Sequence, residues 1–231
     1  MTLQQQELEE TKKYNELCEG LNQVWNDQPW FNKFMVDSNY RSYQWIRKNV
    51  LPSAAIIDVG AGWGTLPLRL ALHGYTDLTV NEIDHTRIDH AKYLASLLNV
   101  KLKFREGSMF TLGDSEKYDV VSSVTWQHPQ YPYEQVIKCL SSYLNPSGYL
   151  MLTFWNEDGN IDEARQEFLK HYTYVKGFGL PFPSIHQADI EHLYMENDLN
   201  VVHVDTSNTS PTPNMEKMQC TTPEHLIVGQ K

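Results

Sequence analysis

The chain is short of cysteine, of positive charge and of long apolar runs. Only Cys18, Cys139 and Cys220 occur in its 231 residues, far apart and with no CxxC pair. This argues against a disulfide framework or a cysteine-built zinc site and predicts free thiols in a reducing compartment. Lys and Arg number 19 against 29 Asp and Glu, a formal charge of -10. A nucleic-acid partner ordinarily needs a basic stripe and an anionic membrane needs a basic face, so both are disfavoured. No stretch approaches the ~18 apolar residues of a membrane span. The polar opening MTLQQQELEETKKY lacks the apolar centre of a signal peptide. A cytoplasmic protein is expected. The nine histidines form no HExxH or other ligand spacing, so no metal site is expected.

What is present suits one folded α/β domain: 41% hydrophobic and 21% charged residues. Residues 1–22 carry Leu3, Leu8, Tyr14, Leu17 and Leu21 loosely at helical spacing and read as a surface helix. Residues 25–49 are dense in aromatics, and Pro52 ends their helical pattern. The period then changes. AAIIDVG (54–60) reads as a buried strand, followed by a glycine turn and a helix with Leu66, Leu70 and Leu72 on its apolar face. Further strands are expected at 78–84, 100–107, 118–126 and 149–155, with helices over HTRIDHAKYLASLLN and YEQVIKCLSSYL. Asn145-Pro146-Ser147-Gly148 is expected to turn into the fifth strand. Strands alternating with helices predict an open, mostly parallel sheet. Beyond it, IDEARQEFLKHY reads as a helix, 177–184 as a loop, and QADIEHLYMEND as a helix capped by Ser184. Strands at 200–206 and 225–231 flank an arm without periodicity.

Such sheets bind ligands beyond the carboxyl ends of their strands. The first of those ends is Asp58-Val59-Gly60-Ala61-Gly62-Trp63-Gly64-Thr65, whose glycines let a ligand approach the main chain. The second strand ends in Asn81-Glu82-Ile83-Asp84, and Glu82 is placed to accept hydrogen bonds from both hydroxyls of a ribose. Together they point to an adenosine ligand. A dinucleotide oxidoreductase favours GxGxxG; here the spacing is GxGxG, and Asp58 would oppose a pyrophosphate while suiting an amine or sulfonium.

These motifs resemble those of class I, Rossmann-like S-adenosylmethionine-dependent methyltransferases of the small-molecule branch. IDVGAGWGT resembles the first motif, VNEID the second, REGSMF (105–110) the third and YDVVSSVTWQH the fourth; YLNPSGYLMLTFW resembles the Leu-x-Pro-Gly-Gly turn into the fifth strand. The resemblance spans about 56–155 and implies a seven-stranded sheet, helices on both faces and a C-terminal antiparallel hairpin. It implies a single domain over 1–231: a helical lid (1–52), a cofactor-binding core (53–155), and substrate-side helices with the final hairpin (156–231). S-adenosyl-L-methionine would lie on Asp58, Gly60, Ala61, Gly62 and Gly64 by its methionine part, on Glu82 and Ile83 by its ribose, and on Ser108, Met109 and Thr125 near the adenine. Ser108 stands where family members often carry Asp, and Ser147 replaces the first of two glycines. The fourth strand lacks the Asn-Pro-Pro-Tyr or Asp-Pro-Pro-Tyr of many base-methylating enzymes.

Methyl transfer from a sulfonium is an in-line displacement that needs positioning, exclusion of water and, for some acceptors, a base. His128, after the fourth strand, is the candidate base; His171 and His186 are weaker ones. Trp126, Tyr131, Trp155 and Phe178 are candidate aromatic walls of an acceptor pocket, with Tyr14, Trp30 and Tyr40 in the lid. The expected acceptor is a neutral or cationic small molecule methylated at N or O. A non-catalytic cofactor-binding module, an RNA or protein methyltransferase and an NAD-dependent oxidoreductase are the competing readings.

Overall fold

The computed structural model describes Lys12, Lys13, residues 15–17, 19–20, 39–113, 116–124, 131–156, 184–206 and 224–231, without the side chains of Trp155, Asn156 and Glu224. The expected helix at IDEARQEFLKHY, the loop at 177–184 before Ser184 and the arm over 207–223 lie outside these residues. The chain divides into two compact units, Met1–Gly113 and Asp114–Lys231.

In the first unit, α1 (Tyr40–Asn49) leads to β1 (Ala55–Val59), α2 (Thr65–Leu72), β2 (Asp77–Glu82), α3 (His85–Leu97) and β3 (Lys103–Glu106). The strands run parallel in the order β3-β2-β1, with Val59 beside Asn81 and Glu82 beside Glu106. The run Ile56 to Val59 is wholly buried, as expected of a strand covered on both faces. Helix α3 starts where the Asp84 carboxylate accepts the Thr86 N–H at 2.9 Å, and it buries Ile88, Ala91, Leu94 and Ala95 at helical spacing. Helix α1 ends under Tyr75, whose hydroxyl lies 3.2 and 3.0 Å from the Ile46 and Val50 carbonyls at the helix end, the first of which also accepts the Val50 N–H.

One expectation changes here. Helix α2 has no single apolar stripe: Leu66, Leu68 and Leu70 are all fully buried, Leu72 only partly, and even Arg69 is 7% exposed. A helix enclosed on several sides follows its surroundings rather than a 3.6-residue stripe. Of the described helical residues between Lys12 and Gly20, Leu17 is fully buried with Trp63, Leu68 and Leu94, the apolar side expected of that helix.

The second unit holds β4 (Tyr118–Ser123), α4 (Tyr133–Ser142), β5 (Leu144–Asn156), β6 (Ser184–Ile185), α5 (Gln187–Glu196), β7 (Asn200–Asp205) and β8 (Glu224–Gln230). Strand β5 runs parallel to β4 and antiparallel to β8, which also pairs antiparallel with β7. The expected closing hairpin strands are therefore present. The Asn145–Gly148 turn becomes an irregular start of β5: Ser147 N–H donates to Lys231 O and Lys231 N–H to Gly148 O, so the far end of the chain draws this segment into the sheet. Ser184 does not cap α5. It lies in β6, opposite Trp155, and His186 stands at the helix start without a side-chain cap. The extended ladder with β5 claims Ser184 first.

Candidate functional site

Apart from Thr125, the expected cofactor residues fall at or beside the carboxyl ends of β1, β2 and β3, within the first unit. After Val59 the chain turns through Gly60, Gly62 and Gly64 with φ of 67°, 57° and 70°. All three are left-handed, a region that costs a side-chain-bearing residue about 1–2 kcal/mol. The turn is tied down by Ala61 N–H to Asn81 O at 3.0 Å and Gly64 N–H to Ala61 O at 2.9 Å. A Cβ on Gly64 would lie 3.1 Å from Val80 Cγ2, so this glycine backs onto the core. A Cβ on Gly62 would meet nothing within 4 Å, so this glycine faces open space.

Glu82 ends β2 and is 3% exposed. Its Oε2 accepts the Gly62 N–H at 2.8 Å, and its Oε1 accepts Ile83 N–H at 2.8 Å and Asp84 N–H at 3.1 Å. Arg87 stands 3.9 Å from Oε2 and 3.6 Å from Asp84, balancing the two carboxylates at the helix start. Ile83 beside it is 64% exposed, an apolar side chain at the rim of the turn. Asp58 is buried at 3% within β1.

Ser108 and Met109 follow β3. Ser108 Oγ accepts the Phe110 N–H at 3.3 Å and caps a short 3₁₀ turn, Met109–Thr111, with Met109 buried. The loop is fastened to β2 by Gly107 N–H to Glu82 O and by the Asn81 amide, which donates to Arg105 O and Gly107 O at 3.0 Å each. Gly60, Ala61, Gly62, Gly64, Glu82, Ile83, Ser108 and Met109 are thus connected through main-chain and side-chain bonds around the ends of three adjacent strands.

Tyr40 opens α1. Its ring lies 4.9 Å under the Arg69 guanidinium and 6.2 Å from the Tyr43 ring, while Arg69 also covers Tyr43 at 4.2 Å. The neighbouring Asn39 amide donates to Thr65 Oγ1 at 2.6 Å in a buried bond. So α1 is fixed to the helix that begins where the glycine turn ends. Sequence reasoning missed Asn39, Asn81 and Arg69. Only Arg69 left a signal, a lone cation inside the apolar run TLPLRLAL.

In the second unit Tyr131 is half-buried just before α4. Trp155 is in β5 by its main chain. Tyr14, Trp30, Thr125, Trp126, His128 and Phe178 lie outside the described residues. Among the described residues no group of three His, Cys, Asp or Glu side chains is arranged to hold a metal ion, and no helix is long and apolar enough to cross a membrane.

Residues 56–148 match the family model described as a methyltransferase domain. No curated protein sequence matches the chain. Among solved structures, magnesium protoporphyrin IX methyltransferase from Synechocystis PCC 6803 with bound S-adenosylhomocysteine matches with a TM-score of 0.62 at 18% identity, over 94% of this chain and 86% of that one. A SAM-dependent methyltransferase from Methanosarcina mazei matches with a TM-score of 0.58 at 19% identity, over 80% and 96%. Geranyl diphosphate C-methyltransferase from Streptomyces coelicolor A3(2) matches with a TM-score of 0.60 at 11% identity, over 83% and 78%. At these identities the likeness is one of fold, and that fold is the Rossmann-like one expected: a parallel sheet core closed by antiparallel strands. Residues 56–148 thus match a methyltransferase domain, and the fold around them is the Rossmann-like one.

Proposed function

We propose that this chain binds S-adenosylmethionine on the ends of β1, β2 and β3 and transfers its methyl group to N or O of a small-molecule acceptor. The observation that carries the reading is the left-handed triplet Gly60, Gly62 and Gly64 joined to the buried Glu82 carboxylate. Its chemistry fits the donor. The glycine turn leaves room beside Gly62, the carboxylates of Asp58 and Glu82 suit an ammonium or sulfonium and a ribose, and exposed Ile83 offers an apolar contact. Ser108 and Met109, with Thr125 from the following unit's sequence, complete the adenosine end.

The methyl group moves by in-line displacement, and the protein's part is to hold the acceptor atom in line and exclude water. His128 takes the acceptor's proton where one must leave. Tyr131, Trp126, Trp155 and Phe178 wall the acceptor, and residues 1–52, with Tyr14, Trp30 and Tyr40, form its cover; residues 156–231 supply the rest of the substrate side. A charge of -10 favours a neutral or cationic acceptor over nucleic acid, and a cytoplasmic setting accords with the free-thiol expectation. A carbon acceptor is the second reading, because the geranyl diphosphate enzyme of the same fold is a C-methyltransferase.

Titration calorimetry with S-adenosylmethionine and S-adenosylhomocysteine tests the cofactor. Dissociation constants below ~1 mM are expected, and binding weaker than that for both would end the proposal. Glu82→Ala should weaken binding by about ten- to a hundredfold, the loss of charged-acceptor bonds. Methyl-labelled donor incubated with fractionated metabolites identifies the acceptor. His128→Asn should lower turnover about 10²–10⁴-fold for an acceptor that must lose a proton, with donor affinity kept.

A further inference from the structure

Asn81 stands second from the end of β2 and is 1% exposed. Its amide donates to two main-chain carbonyls at the end of β3, Arg105 O and Gly107 O, at 3.0 Å each. Both partners are carbonyl oxygens, so the NH₂ must face them, and both its hydrogens are used. The ladder beside it shows why a side chain is needed there. Strands β2 and β3 stay in register as far as Glu82 and Glu106, with Gly107 N–H on Glu82 O. Asp84 N–H, two residues on, turns to Glu82 Oε1 and leaves the ladder. The Asn81 amide thus holds the strand end where main-chain donors stop.

What hangs from that end is a small closed turn. Ser108 O accepts both the N–H and the hydroxyl of Thr111, and Ser108 Oγ accepts the Phe110 N–H. The turn joins β3 through Gly107 at φ 135°, a conformation that glycine enters and leaves easily. Its far side is held by Arg105 Nη1 on Leu112 O at 3.3 Å. The turn is therefore closed within itself, and its angle to the sheet is set at Gly107, where Asn81 binds.

We infer that Asn81 is a positioning residue for the nucleoside. Its side chain fixes the 108–111 turn against β2, and its main-chain carbonyl accepts the Ala61 N–H of the glycine turn at 3.0 Å. One residue thereby sets the spacing between the two loops that a bound nucleoside touches together. The nucleoside role rests on the cofactor reading above; the fastening of the turn does not.

Asn81→Val removes both donors and keeps a residue suited to a strand. In hydrogen exchange of the ligand-free full chain, amides of 107–112 should exchange ~10-fold or more faster in this variant. Those of 60–65 should stay within ~3-fold, because the main-chain carbonyl of residue 81 is kept. Asn81→Ser, a milder change with one donor on a shorter side chain, should show the same local loss and serves if the valine variant does not fold. Unchanged exchange at 107–112, or an equal rise throughout the chain, overturns the fastening. In calorimetry S-adenosylhomocysteine should bind the variants ~10-fold more weakly, as for a turn in place about a tenth of the time. Bound ligand should nevertheless return 107–112 to the protection of the liganded unmodified protein. Affinity within ~2-fold of the unmodified protein overturns the role toward the nucleoside. If S-adenosylhomocysteine does not bind the unmodified protein at all, the cofactor reading fails, and the ligand-free exchange still decides whether Asn81 fixes the turn.

Discussion

A methyl group added at Gly62 and one added at Gly64 meet different surroundings, although both glycines share a left-handed conformation. At Gly64 the new atom would press on Val80 in the core, so Gly64→Ala combines backbone strain with overpacking. We expect a loss of about 2–4 kcal/mol in urea unfolding. At Gly62 only the strain of about 1–2 kcal/mol applies to stability, but the methyl occupies the open side of the turn. Gly62→Ala should therefore weaken nucleoside binding in calorimetry out of proportion to its effect on unfolding. Equal effects of the two substitutions on both measurements would show that the turn has no ligand side.

At the scale of elements, the start of β5 carries a visible cost. Ser147 sits at φ 66°, the left-handed region, at the position where the resembling motif has glycine. From the sequence that exchange reads as minor; the backbone makes it a strained site. Ser147→Gly should raise stability by about 0.5–1 kcal/mol, read as a higher melting temperature with the fold unchanged. The adjoining Gly148 has no such freedom, because a Cβ there would lie 3.0 Å from Asn145 O and 3.1 Å from Tyr118 O. The same segment explains what could be read in advance. Strands β1 and β5 announced themselves by their apolar stretches AII and YLML, and the glycine turn with Glu82 at the end of β2 as a spaced motif. The turn at 145–148 and the Ser184 cap did not survive, because their backbone is claimed by Lys231 and by Trp155, partners that local pattern does not reveal. Asn39 and Asn81 were illegible for the same reason. A single polar residue carries no period, and its role exists only once Thr65 or the β3 loop is beside it.

Among the described residues, burial raises the phenol pKa of Tyr75 and, more strongly, of Tyr194, which dominates the alkaline side. Tyr194 on α5 is fully buried, makes no hydrogen bond to any described residue, and packs so closely on β8 that a Cβ at Gly229 would lie 2.3 Å from its ring. Burial raises its phenol pKa well above the ordinary 10.0. The fold holds the neutral form, so its contribution is complete below pH 10 and is lost as pH rises above the unfolded value toward the raised one. Melting temperature should fall steeply above about pH 10. Tyr194→Phe should flatten that fall and leave neutral stability equal or higher, since it deletes an unpaired buried hydroxyl. A steeper alkaline loss in Tyr194→Phe would place the sensitivity elsewhere.

The two units also differ in how far apart in the chain their partners lie. Every described group around the glycine turn, from Asp58 to Met109, belongs to one contiguous stretch whose strands follow each other closely. In the second unit β8 must join both β5 and β7, and Tyr149 pairs with Gln230. Short loops close at small entropic cost and long ones late, so during synthesis β1, β2 and β3 can assemble while β5 still waits for its antiparallel neighbour. Until residues 224–230 emerge, β5 presents an unpaired edge of Leu150, Met151, Leu152 and Phe154, and this is the moment at which the growing chain is most exposed to aggregation.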